Sequence, residues 1–224
     1  MVRLLPTLLL VAQLILSASS HSIPNMLPRS GQHMYPYLVL GTDSPPDWGT
    51  TGYFINYFAI STRNLTASLD FYSRVLGFRK MLTLHVFKTY SITYLAHAHG
   101  GLLEIYYLDI PNKNIESSSQ HPNTFAHIGL VVPDAQAIQE RLETMPDVKI
   151  VKRYGEKFTD ITDDLVIGPA VGLPSSVVAQ LRLEQREAVV QGLGHSVDPL
   201  LFIVDPDGNF IEIQGEEGAD LVQG

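Results

Sequence analysis

Four residues carry the chemistry open to this chain: Tyr57, Glu104, His127 and Glu212. His127 stands in "NTFAHIGLVV", a run that otherwise reads as a buried strand. Glu104 ("LLEIYYL") and Glu212 ("NFIEIQ") are single carboxylates in apolar strands. An imidazole or a carboxylate is costly to bury without partners. Taken one at a time, each is most simply an edge residue or a hydrogen-bonded core side chain. Two buried carboxylates and an imidazole near one another, however, need something positive between them. A divalent cation supplies it, and oxygen ligands with one imidazole suit Zn, Ni, Co, Mn or Fe.

The elements that must bring these residues together repeat. "YFINYFAIS" reads as a strand and "NLTASLDFYSRVLGF" as a helix capped near Asn64 or Thr66, with Leu69, Tyr72 and Leu76 on one face and Gly77 as its stop. "RKMLTLHVF", "YSITYLAHA" and "GLLEIYYLDI" are three further strands, making a βαβββ unit. The order then recurs. "TFAHIGLVV" is a strand, "PDAQAIQERLETM" a helix with Ile138 and Leu142 inward, and "VKIVKR" a strand. "DPLLFIVDPDGNFIEIQ" is a hairpin turning at Asp205–Gly208. An extra piece, about residues 155–197, interrupts the second unit and contains a helix, "SSVVAQLRLEQREAVVQ", stopped by Gly192.

The two units align by eye. "YFAISTRNLTAS" runs beside "HIGLVVPDAQAI", and "GGLLEI" beside "DGNFIEI", so Tyr57 matches His127 and Glu104 matches Glu212. Residues 57 and 104 are 47 apart and residues 127 and 212 are 85 apart; the difference of 38 is roughly the length of the extra piece. The expected architecture is α+β, two βαβββ modules around a shared cleft into which the four residues converge.

"SLDFYSRVLGF", "FAHIGLVVPD" and "DPDGNFIEIQ", in this module order over about residues 52–216, resemble the vicinal oxygen chelate superfamily and its glyoxalase I (lactoylglutathione lyase) branch. The resemblance implies the glyoxalase/bleomycin resistance/dihydroxybiphenyl dioxygenase fold. It also implies one divalent metal per site, held by the positions that fall on residues 57, 104, 127 and 212. Glu104, His127 and Glu212 match the branch; Tyr57 stands where it carries His or Gln. A phenol is a weak ligand, so Tyr57 is either a fourth ligand, a gap in a three-ligand site, or a mark of a lost metal. By the same resemblance Glu212 is the base that abstracts a proton next to a carbonyl. The positions matching the family's glutathione-binding arginines are Ser61 and Asn123, which cannot clamp a carboxylate, so glutathione is a doubtful substrate. Arg153 is the further candidate for an anionic substrate.

The rest of the chain sets limits. The 224 residues are 45% hydrophobic with net charge −8, without a basic stripe, so nucleic acid is a poor partner. "MVRLLPTLLLVAQLILSASS" has the order of a secretory signal peptide over residues 1–20, and its apolar run is short for a membrane span. There is no cysteine, which rules out disulfides and thiolate chemistry. The expected chain is an exported one, not membrane-bound when mature, with an irregular arm over 21–51. A module over 52–112, a module over 123–216 and a tail over 217–224 follow. Asn64-Leu65-Thr66 is a sequon, making Asn64 a glycosylation candidate. His97, His99, His121, His85 and His195 read as surface or loop histidines. The inserted piece is a lid or a homodimer contact. Three functions remain: a metal-dependent lyase or isomerase on a small carbonyl or oxygenated substrate, a metal-free small-molecule-binding protein, and a ring-cleaving dioxygenase. Tyr57 argues against the last.

Overall fold

The first repeat opens on β1 (Tyr57–Thr62) and passes directly into α1 (Leu65–Asp70). A computed structural model describes residues 55–98, 101–109, 116–117, 119, 125–162 and 165–216. The expected signal peptide, arm and tail, and Asn123, His99 and His121, lie outside the described residues. Asn64 caps α1 as expected: its backbone is extended and its side chain accepts the Ala67 amide at 3.1 Å. The helix continues as a π-helical turn, Phe71–Val75, that buries Phe71, Tyr72 and Val75. It ends at Gly77, whose φ of 75° lets the Gly77 and Phe78 amides turn back to the carbonyls of Ser73 and Tyr72.

β2 (Arg79–Phe87), β3 (Tyr90–Ala96) and β4 (Leu102–Leu108) complete a four-stranded sheet of order β1-β4-β3-β2. β1 pairs parallel with β4, and the β2–β3 and β3–β4 pairs are antiparallel. Pairing sorts the side chains by face. Leu95, Leu103 and Ile105 share one face and are buried, with Thr62 and Thr93. Tyr57, Tyr94, Glu104 and Tyr106 share the other.

The second repeat has β5 (His127–Val132), α2 (Ala135–Glu143), β6 (Lys149–Lys152), β7 (Leu201–Val204) and β8 (Phe210–Gly215). Its order, β5-β8-β7-β6, repeats that of the first sheet. The α+β pair of βαβββ modules is therefore as the sequence repeat implies. Asp134 caps α2 by accepting the Ala137 amide at 2.9 Å.

The inserted piece corrects one expectation. Its single helix is two: α3 (Ser175–Val178) and α4 (Leu183–Val197). The break falls where Arg182 is extended and its amide bonds the Gln185 side chain at 2.9 Å, starting a new helix. Gly192 does not stop it. A glycine ends a helix by taking the left-handed conformation, and Gly192 is not among the positive-φ glycines; inside a helix it costs only about 1 kcal/mol. His195 accordingly lies in the last turn of α4, not in a loop. Among the described residues no helix is long and apolar enough to cross a membrane.

The elements form two compact units: one holds the first repeat with residues 204–210, the other residues 127–203 and 211–216. The "DPDGN" turn is a centre of the first unit. Asp205 accepts the Asp207 and Asn209 amides at 2.9 and 2.8 Å, the Asn209 side chain at 2.9 Å and the Tyr72 hydroxyl at 2.9 Å. Burial raises the Asp205 pKa, against these bonds, and burial and Asp205 together hold the Tyr72 phenol well above its ordinary value. Asp207 accepts Thr62 Oγ1 at 2.5 Å, Ser68 Oγ at 3.3 Å, and the amide and Nε of Arg63 at 3.1 and 3.0 Å. Gly208, at φ 93°, is obligatory here: a Cβ would also meet Ser117 Oγ at 2.6 Å. Asp207→Ala strips the acceptor from two buried hydroxyls and a guanidinium. It should cost about 3 kcal/mol, read as a lower urea midpoint; a midpoint within error of the parent would contradict this account.

Candidate functional site

In the second unit β5 neighbours β8, and that adjacency brings together two residues 85 apart in sequence. His127 Nε2 lies 3.3 Å from Glu212 Oε2. The other ring nitrogen, Nδ1, lies 2.9 Å from the carbonyl oxygen of Ala170, in the inserted piece. Phe202 of β7 stands edge-on to the ring at 6.1 Å between centroids. The two side chains are 30% and 17% exposed, open enough for a ligand to reach and closed enough to be partly desolvated.

The ring thus has an acceptor at each nitrogen. A neutral imidazole has one N–H and cannot serve both. The arrangement is satisfied by a second proton on the ring, by a proton on Glu212 donated to Nε2, or by a cation between Nε2 and the carboxylate. Burial raises the Glu212 pKa, with His127 pulling the other way. A carboxylate that is partly dry and holds its proton more tightly than usual is the character of a general base.

In the first unit, Tyr57 pairs with Leu102 and Ala59 with Glu104, so Tyr57 and Glu104 share a sheet face, two residues apart in register. Glu104 is 2% exposed. The Tyr94 and Tyr106 phenols hydrogen-bond its carboxylate, which pushes the Tyr94 pKa up to about 12 and raises Tyr106 as well. Glu104 Oε2 nevertheless has no partner. Tyr57 is half exposed and sits edge-on to Tyr94 at 6.2 Å.

The remaining candidates are placed plainly. Ser61 is exposed on the Tyr57 face of β1. Arg153 is engaged by the Glu143 carboxylate, and its amide by Glu156 at 2.8 Å. Asn64 is exposed and caps α1. Strand alternation already places Tyr106 on the Glu104 face, whereas Tyr94 and Ala170 were not singled out from the sequence. Tyr94 lies directly across from Glu104, so pairing the strands on either side of the "HAHG" turn could have found it. Nothing in the sequence marks a backbone carbonyl in an insertion.

The donors suit a divalent ion in kind. In the second unit His127 Nε2 beside Glu212 offers two N/O donors of the kind that Zn, Ni, Co and Mn accept; in the first unit Glu104 Oε2 is a separate buried lone pair. Among the described residues, no group of three or more His, Asp or Glu is drawn together as a ready-made metal cage.

Comparison with known proteins agrees with this fold. The family model of the Glyoxalase/Bleomycin resistance protein/Dioxygenase superfamily matches residues 54–162. The lactoylglutathione lyase of Pseudomonas aeruginosa is 30% identical over 122 residues, covering 45% of this chain and 69% of that enzyme. The chain belongs to this superfamily, in its glyoxalase-like branch. The family match of this glyoxalase-like protein ends inside its inserted segment. Among solved structures, a trypanothione-dependent glyoxalase I of Leishmania major has a TM-score of 0.46 at 19% identity, over 74% of this chain and 88% of that one. An antibiotic-binding protein from a Streptomyces species has a TM-score of 0.41 at 16% identity, over 73% and 95%.

The raised Glu212 pKa has a sign that can be tested. A carboxyl with a raised folded pKa contributes stability below its unfolded pKa of about 4.3, and that contribution is lost as pH rises through the folded value. Glu212→Gln cannot ionise. It should melt higher than the parent at neutral pH, by a margin that shrinks as pH falls toward 4. A margin that grows on acidification would reverse the assignment.

Proposed function

We propose that this protein is an exported, glyoxalase-like lyase or isomerase that moves a proton next to the carbonyl of a small oxygenated substrate. The observation that carries this reading is the His127–Glu212 pair at 3.3 Å, with His127 anchored by Ala170. Glu212 takes the substrate proton. His127 Nε2, in contact with the same carboxylate, stabilises the charge and shares the proton until it is returned to the neighbouring carbon. Partial burial keeps the base desolvated and its pKa high.

His127 and Glu212 are the proposed ligands of a divalent metal, with Glu104 as the third that the family resemblance adds and Tyr57 as a fourth candidate. A bound ion supplies Lewis-acid stabilisation of negative charge on the substrate oxygens. The substrate reading is a carbonyl compound free of glutathione, since Ser61 is neutral and Arg153 is held by Glu143. The amino-terminal signal-like segment supports export.

A second reading, a metal-free small-molecule-binding protein, draws on a different observation: two phenols already serve the Glu104 carboxylate. Metal analysis separates the two. The purified protein, reconstituted with Zn, Ni, Co or Mn, should take up near one equivalent of metal. His127→Ala should lose the metal, and Glu212→Gln should lower kcat by about 10²–10⁴-fold. Absence of uptake with all four ions would favour the binding protein. The methylglyoxal–glutathione hemithioacetal should be a poor substrate; efficient turnover would show that a neutral Ser61 suffices for glutathione.

A further inference from the structure

We infer that the inserted segment sets the protonation pattern of His127: the Ala170 carbonyl holds a proton on Nδ1, so that Nε2 is the nitrogen committed to Glu212 and to any ligand. The inference rests on His127 being a functional group of the site, but concerns a part of the chain that the family match does not span beyond residue 162.

The segment is built to deliver that carbonyl firmly. At its base, buried Lys152 donates to the carbonyls of Arg153, Asp198 and Leu200 at 3.0, 3.2 and 2.9 Å. Asp198 in turn accepts the Phe158 amide at 2.7 Å and Lys157 Nζ at 3.0 Å. Further along, one guanidinium ties three stretches together: Arg186 donates to the carbonyls of Ile161, Val178 and Leu181 at 3.2, 3.0 and 3.3 Å. Between these braces lies the 3₁₀ turn Gly168–Val171, with Ile167 and Ala170 buried.

The turn itself is narrow. The Leu173 amide bonds the Gly168 carbonyl at 2.7 Å, and Gly172 closes the turn at φ 76°. A Cβ on Gly168 would lie 2.3 Å from the Leu173 backbone oxygen, so no side chain fits without moving the turn that carries Ala170. Ala170 O then meets His127 Nδ1 at 2.9 Å, the shorter of the ring's two polar contacts. A carbonyl oxygen can only accept, so Nδ1 must donate. Ala170 is a positioning residue: it acts through the ring, as partners of ligating histidines do.

The test reads the ring directly. Long-range ¹H–¹⁵N spectra of the metal-free, full-length protein, with the His127 signal assigned by its loss in His127→Gln, should show Nδ1 protonated from neutral to alkaline pH. Gly168→Ala should abolish or exchange-broaden that Nδ1–H signal and weaken zinc binding by about 10–100-fold. Gly194→Ala is the control in the same segment, since its Cβ would meet only the Phe158 oxygen at an ordinary 3.6 Å; it should leave both unchanged. An unprotonated Nδ1 in the parent protein overturns the inference, as does a folded Gly168→Ala with an unaltered Nδ1–H signal. Should Gly168→Ala not fold, the parent spectrum alone decides. Because the spectrum needs neither metal nor substrate, the Nδ1 assignment can hold even where zinc binding and turnover fail.

Discussion

A carboxylate taken out of water must find donors or a cation, and among the described residues that requirement shows most clearly at Asp205, Asp207, Glu104 and Glu212. Asp205 finds two amides, an amide side chain and a phenol. Asp207 finds two hydroxyls and the Arg63 backbone and guanidinium. Both are saturated, and both fix a turn. Glu104 and Glu212 are not saturated in the same way. Glu104 keeps one oxygen bare beside two phenols, and Glu212 faces an imidazole with a single polar contact. Saturated acids hold structure; under-satisfied ones are where a ligand, a proton or an ion gains most by binding.

The distribution of these acids follows from the repeat. Each module ends in a strand whose acidic residue faces the position carried by the module's opening strand. In the second module that meeting is direct, because β5 and β8 are neighbours and His127 and Glu212 touch. In the first module the equivalent place has changed chemistry. Tyr57 turns to Tyr94, and the partners of Glu104 come from β3 and β4 instead. The two halves share topology and differ in what they offer a ligand: one is a carboxylate paired with an imidazole, the other a carboxylate in a phenolic setting.

The inserted segment explains how one half can keep an imidazole poised. A histidine at the start of a strand has free rotation about its side chain unless a second contact fixes it. Here the second contact is a carbonyl on a braced turn, distant in sequence by 43 residues. The braces, Lys152 and Arg186, are cations that donate to backbone carbonyls of the segment. Burial lowers the Lys152 pKa, yet three carbonyls satisfy its three protons.

The sequence by itself determined the module order, a helix start at Asn64 or Thr66 and another at Asp134, the "DPDG" turn and the repeat match of Tyr57 with His127 and Glu104 with Glu212. These are local signals: side-chain caps, glycine at positive φ and strand alternation act over a few residues, and the repeat states each of them twice. It misjudged Gly192, because a glycine stops a helix only where the chain needs a left-handed turn, and α4 does not need one there. Three things were decided only by tertiary structure. Asp205 and Asp207 take partners from the π-helical turn after α1 and from the end of β1, over more than 130 residues of chain. Tyr94 reaches Glu104 because strand register, not sequence distance, sets neighbours. And a backbone carbonyl at Ala170, identical in the sequence to any other, became a partner of His127 because folding of the insertion carried it there.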